Sequence, residues 1–190
     1  MSDRLKGFNI AVFISGGGSN LQSLIDASQE GGIDSKIDLV VSSDPKAYGL
    51  ERAKNAGIDG IVCRDPKEMI ALMERYQIDL IVLAGYLKVI DGELIDRYPN
   101  RIINIHPSLL PKFGGMGMYG MNVHEAVFAS GEKISGATVH FVDRIVDGGK
   151  ILIQKEVDIS DCSSAKEIQE RVLDLEHQIL VEAVKILEEL

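Results

Sequence analysis

The stretch IINIHPSLLPKF, residues 102–113, sets an asparagine and a histidine two apart in an apolar run and closes that run with a proline. Side chains alternate along an extended strand, so Asn104 and His106 share one face while Ile103 and Ile105 take the other. Pro107 lacks a backbone N–H and stops the ladder, which leaves His106 at the strand's carboxyl end. An amide donor beside an imidazole suits the oxyanion that forms when a nucleophile attacks a carbonyl. The same two side chains also suit a plainer role, a structural pair that bonds the following loop. Asp147, directly before Gly148 and Gly149, can stand at the same rim, where its charge would favour a protonated imidazole and fix its orientation. Asp-Gly-Gly reads equally as an ordinary turn.

A second stretch, ISGGGSNL at 14–21, joins an apolar run to an amphipathic one. Glycines there let the backbone turn tightly and bare its N–H groups, and a following helix N-terminus adds positive potential, so a phosphate would be well held. Ser19 and Asn20 are candidate caps or side-chain donors. The dinucleotide fingerprint asks for a third glycine where Leu21 stands, so the reading is a monophosphate cradle; the alternative is a plain strand-to-helix turn. Glu176 falls within an apolar helical arc, where an ionised carboxylate needs donors, a cation or a ligand. His124 and His140 read as structural histidines, His177 as an exposed helix residue, and no His/Cys spacing suggests zinc.

These residues need a scaffold that brings them to one edge. Short apolar runs alternate with amphipathic stretches through the first half, the pattern of βαβ units and a mainly parallel sheet. Strands are expected at 9–14, 37–43, 59–63, 79–85 and 101–105, with helices at 20–30, 46–56, 66–76 and 92–98. In such a doubly wound α/β sheet, ligands bind at the carboxyl ends of the strands. The second half changes character: strands at 136–142 and 150–157 flank the turn-rich DRIVDGG. SAKE at 164–167 has capping-box spacing and opens a final helix, on which Ile168, Val172, Ile179, Ala183, Ile186 and Leu187 form an apolar arc around Glu176. The glycine-rich KFGGMGMYGMN at 112–122 reads as a loop that can close over an apolar ligand.

Length and charge bound the rest. A chain of 190 residues fits one domain, spanning 1–190. The balance of 20 Lys and Arg against 29 Asp and Glu, a net charge of −9, disfavours nucleic acid and acidic membranes as partners but leaves small anions open. Cys63 and Cys162 show no disulfide-type spacing, and residues 1–18 hold too short an apolar run for a signal peptide, so a cytoplasmic location is expected.

The segments ISGGGSNLQSLID, GLERAKNAGI, LAGYLKVI, NIHPSLLPKF, GATVHFV, DGGKILIQ and RVLDLEH come in an order that resembles the glycinamide ribonucleotide formyltransferase family, folate-dependent enzymes of purine synthesis. The resemblance implies an α/β, Rossmann-like sheet with an antiparallel addition in the C-terminal half. It implies a formyl transfer from 10-formyltetrahydrofolate, a cosubstrate, to the amine of glycinamide ribonucleotide without a metal. Asn104, His106 and Asp147 would be the catalytic trio. Gly18, Ser19 and Asn20 would hold the ribonucleotide's phosphate, and Leu173, Asp174, Leu175 and Glu176 the rest of that substrate. Leu87, Lys88, Val89, Ile90, Asn104, Asp143, Arg144, Ile145, Val146 and Asp147 would hold the folate, with Lys67 as a basic contact. Gly17, Lys88 and Leu173 depart from commoner family residues. Partners would be small molecules only, with no nucleic acid or membrane, and the chain a monomer or weak homodimer. Two other classes compete: a non-catalytic phosphosugar or folate binder, which has no use for an oxyanion clamp, and a dinucleotide-dependent dehydrogenase, which Leu21 disfavours.

Overall fold

The computed structural model describes residues 7–190; the first six, part of the stretch read for a signal peptide, lie outside the described residues. Seven strands form one sheet in the order β3-β2-β1-β4-β5-β6-β7. The strands are β1 (Asn9–Ile14), β2 (Lys36–Ser42), β3 (Asp59–Val62), β4 (Leu80–Leu83), β5 (Ile102–His106), β6 (Ile134–Phe141) and β7 (Ile151–Asp158), and the helices are α1 (Ser19–Gln29), α2 (Gly49–Asn55), α3 (Pro66–Arg75), α4 (Gly92–Arg97), α5 (Met121–Ser130) and α6 (Ala165–Glu188). The five expected parallel strands pair in parallel, and β6 and β7 add antiparallel to β5. β1 sits between β2 and β4, so the strand order reverses there and opens a crevice between the loops that leave β1 and β4.

Burial of both faces explains the continuous apolar runs of the central strands. Ile10, Val12 and Ile14 join Ile103, Ile105 and the buried faces of α1 and α6 in one core cluster; Ala11, Phe13, Ile81, Leu83 and Ile102 join α3 and α4 in the other. Among the described residues no helix is long and apolar enough to cross a membrane.

Three expectations need correction. Residues 121–130 are a helix, α5, although the preceding glycines read as open loop; its N-cap is Gly120, so no capping side chain announces it. On α6 the buried arc is Ile168, Val172, Glu176, Ile179, Leu180, Ala183 and Val184, so Leu180 and Val184 replace Ile186 and Leu187 as the helix turns over its length. In the capping box Ser164 accepts from Glu167 N, but Glu167 reaches back to Ser163 instead of Ser164.

Candidate active site

β5 ends at His106, and its antiparallel neighbour β6 sets the second side of the site. The ladder pairs Asn104 with His140 and His106 with Thr138. A polar network fastens the loop after β5 to these strands: Thr138 Oγ1 donates to Ser108 O at 2.7 Å and accepts from Leu110 N at 3.2 Å, and Gln154 Nε2 donates to both Thr138 Oγ1 and Leu110 O. The loop is thereby turned back so that Phe113 O reaches His106 Nε2 at 2.8 Å.

Asp147 arrives from the β6–β7 connection in a left-handed backbone conformation, φ 55°, the kind of local strain that surrounding structure must hold in place. Its Oδ2 accepts from Gly115 N at 2.9 Å and stands 3.5 Å from His106 Nδ1; its Oδ1 stands 3.5 Å from His140 Nε2. Gly114 packs against the same loop: a Cβ there would stand 2.4 Å from Leu110 Cδ2, which would have to shift. Asn104, His106 and Asp147 are thus brought together.

His140, expected as a satisfied structural histidine, is buried with both ring nitrogens partnered and completes the cluster. Its Nδ1 faces Phe141 O at 2.9 Å, and a carbonyl only accepts, so the partners assign the proton to Nδ1 and leave Nε2 to accept from Asn104 Nδ2 at 3.1 Å. Cross-strand register carries this signal, and register is not legible in the spacing of one strand.

Burial and charge oppose each other at the trio. Both nitrogens of His106 face acceptors, an arrangement suited to the imidazolium, yet burial outweighs Asp147 and the Phe113 carbonyl and holds its pKa below the usual imidazole value. Burial pushes Asp147 upward, but the neighbouring His106 and the Gly115 N–H bring its carboxyl below the usual range. Asp147 is therefore an anion, and His106 is poised to gain a proton when further negative charge arrives. His124, buried on α5, is held at a pKa of about 4 by burial and by His106, and its Nδ1 has no partner among the described residues.

The glycine-rich loop follows β1. Gly18 is the N-cap of α1 at φ 70°, and a Cβ there would stand 2.8 Å from Gly49 Cα, so glycine is required twice over. The first bond of the helix runs from Gln22 N to Gly18 O, which leaves the N–H groups of Ser19, Asn20 and Leu21 without helical partners. Of the two roles open to Asn20, cap or side-chain donor, it does not take the cap. Its Nδ2 donates instead to Glu176 Oε2 at 2.8 Å, across from α6, while its Oδ1 is buried without a partner. Burial drives Glu176 up to about 7 despite that amide. Leu173 and Leu175 are half-buried and Asp174 exposed on the same stretch. His177 is half-buried, with Nε2 fully enclosed, where an exposed face was expected.

On the other side of the crevice, Leu87 N donates to Ser15 Oγ at 2.8 Å, tying the β4 loop to the β1 loop. Lys88, Val89 and Ile90 line a pocket with Arg64, Pro66, Met69, Tyr86 and Asp91. Lys67 is exposed in the first turn of α3 and lies outside that lining; Arg64, which sequence reasoning passed over, joins Lys88 as a basic side chain within it. Leu87, Val89, Ile145 and Val146 are exposed apolar side chains, Val89 at 71% and Ile145 at 70%, an apolar rim of the kind that marks a ligand surface. Asp143 Oδ1 accepts from Ile145 N, and Arg144 pairs with Asp96 at 2.6 Å, which ties the β6–β7 connection to α4. Among the described residues no group of three His, Cys, Asp or Glu side chains is placed to hold a metal ion.

Comparison with known proteins follows the same lines. A family model described as Formyl transferase matches residues 8–184. The chain is 43% identical over 187 residues to the chloroplastic phosphoribosylglycinamide formyltransferase of Vigna unguiculata, covering 94% of this chain and 60% of that protein's length. It is 41% identical over 185 residues to the phosphoribosylglycinamide formyltransferase of Haemophilus influenzae, covering 93% of this chain and 85% of the relative. The crystal structure of glycinamide ribonucleotide transformylase 1 from Symbiobacterium toebii superposes with a TM-score of 0.91 at 36% identity, covering 97% of this chain and 89% of the other.

Proposed function

The chain belongs to the formyl transferase family, and from that premise we propose that it transfers the formyl group of 10-formyltetrahydrofolate to the amine of glycinamide ribonucleotide, a step of purine synthesis. The observation that carries the reading is the convergence of Asn104, His106 and Asp147 at the carboxyl end of β5, with Asp147 between two imidazoles. A protein that only bound a phosphosugar or a folate would have no use for such a set of donors.

The uncharged amine attacks the formyl carbon, forming the new C–N bond and a tetrahedral oxyanion. The second N–H of Asn104, not spent on His140, donates to that oxygen. His106, protonated from solvent before the attack and held as imidazolium beside the Asp147 anion, keeps that proton through the step, and its Nε2–H shifts from the Phe113 carbonyl to the oxyanion as the negative charge grows. Such donors are each worth about 10²-fold or more in rate, because they act on charge present only in the transition state. Asp147 steadies the imidazolium and guides a water that relays the amine's proton to N10 of the folate, which takes it as its bond to the formyl carbon breaks.

Gly18, Ser19 and Asn20 hold the ribonucleotide's phosphate, with Asp174, Glu176 and their neighbours Leu173 and Leu175 on its remainder. Leu87 to Ile90, with Asp143 to Val146, hold the folate, and Arg64 takes the place expected of Lys67. The free thiols of Cys63 and Cys162 fit a reducing cytoplasm. Mixing the protein with both substrates and following the folate absorbance tests the reading: a change that needs the ribonucleotide supports it, and its absence while both ligands bind refutes it.

A further inference from the structure

We propose that Arg52 is the cation that neutralises the substrate's phosphate; this rests on the reading of the glycine-rich loop as a ribonucleotide-phosphate cradle. A phosphate monoester near neutral pH carries close to two negative charges, and the chain that receives it has a net charge of −9. The residues assigned to the cradle offer nothing to offset this. Residues 14–22 contain no Lys or Arg, and Leu173–Glu176 add two carboxylates. The α1 N-terminus supplies only about half a positive charge.

Arg52 reaches the loop from α2 and is held there by three neutral groups. Its Nε donates to Gly17 O at 2.8 Å, its Nη1 donates to Gln22 Oε1 at 3.2 Å, and its guanidinium carbon lies 5.1 Å from the centre of the Tyr48 ring. Its Cδ would stand 3.4 Å from a Cβ on Gly18, which places the side chain alongside the residue that starts α1. Burial lowers the pKa of His177, next to Glu176 on α6; the charge of Asp174 opposes this and that of Arg52 adds to it.

Among the described residues Arg52 forms no ion pair, whereas Arg97, Arg144 and Arg171 each face a carboxylate. Its Nη2 donates to no described group. A guanidinium anchored by neutral acceptors, with one nitrogen unspent, keeps its full charge for an incoming anion, and its planar fork matches phosphate oxygens.

The test compares Arg52→Met with the parent on glycinamide ribonucleotide and on the riboside that lacks the phosphate. The KM for the ribonucleotide is expected to rise about 10- to 100-fold while the folate KM holds, and the ratio of kcat/KM for ribonucleotide over riboside falls by the same factor. An equal loss on both substrates, or no loss on either, overturns the proposal and leaves Arg52 a structural tie between α2 and the loop. Should the Met variant fail to fold, Arg52→Lys decides on the same ratio, with a smaller loss confined to the ribonucleotide expected. If the parent transfers no formyl group, the reading of the reaction fails by itself. Calorimetric titration with inorganic phosphate then still decides Arg52: weaker binding by Arg52→Met supports the assignment, and equal binding overturns it.

Discussion

Asn104 donates through Nδ2 to His140 Nε2 at 3.1 Å, directly across the β5–β6 ladder. The bond fixes which way the amide presents its remaining N–H, and His140 is itself fixed by the carbonyl of Phe141. His140 is thus a positioning residue that acts through Asn104. His140→Ala should lower kcat about tenfold with both KM values near the parent's, because misorientation of a transition-state donor leaves ground-state binding intact. His140→Gln, which restores an acceptor, should recover part of the loss. Equal falls in kcat for both variants, or a change confined to KM, would contradict the role.

Asn104→Ala removes the donor itself. Turnover should fall by about 10²-fold or more while the thermal midpoint moves little, since Asn104 is only partly buried. Near-native turnover in the folded variant would remove Asn104 from the mechanism.

Asp147→Asn takes away the anion that supports the His106 proton. The pKa of His106 already lies below the usual imidazole value because burial dominates, so the neutral amide should lower it further. Imidazole resonances followed by NMR across pH would show the displacement. An unchanged midpoint would break the pairing.

Glu176 makes the stability of the fold depend on pH in a defined direction. Its pKa is raised from 4.5 to about 7, so between those values the folded chain keeps a proton that the unfolded chain releases. Stability therefore falls as pH rises through that window, with the loss complete above about 7. Glu176→Gln carries no such penalty. Its advantage over the parent in denaturant unfolding should widen between pH 5 and pH 8, by an amount on the order of 3 kcal/mol for a shift of this size. A pH-independent difference would mean that Glu176 is ionised at little cost.

The parts of the fold that obey local rules were legible in the chain. Four of the parallel strands, β1, β2, β4 and β5, announce themselves as apolar runs because they are largely buried, whereas β3 is an exposed edge strand; the Asn104–His106 pair follows from a period of two and from Pro107. What escaped depends on how distant segments meet. His140 matters through its register with Asn104, which no single segment reveals. The start of α5 was hidden because Gly120 stands where a capping side chain would signal a helix. Arg64, not Lys67, lines the pocket because the chain turns into α3 between them, a boundary that spacing alone does not fix. Asn20, a candidate cap or side-chain donor, donates to Glu176 from α6, a partner far off in sequence that its own segment does not reveal.

Direct transfer to the ribonucleotide amine is tested most directly by stoichiometry. Donor carrying an isotopically labelled formyl group would be incubated with the protein, with and without glycinamide ribonucleotide, and tetrahydrofolate and labelled ribonucleotide measured together by mass spectrometry. The two products should appear in equal amounts, and tetrahydrofolate should form only when the ribonucleotide is present. Tetrahydrofolate released at the same rate without the ribonucleotide, with the label lost as formate, would show that water and not the amine receives the formyl group.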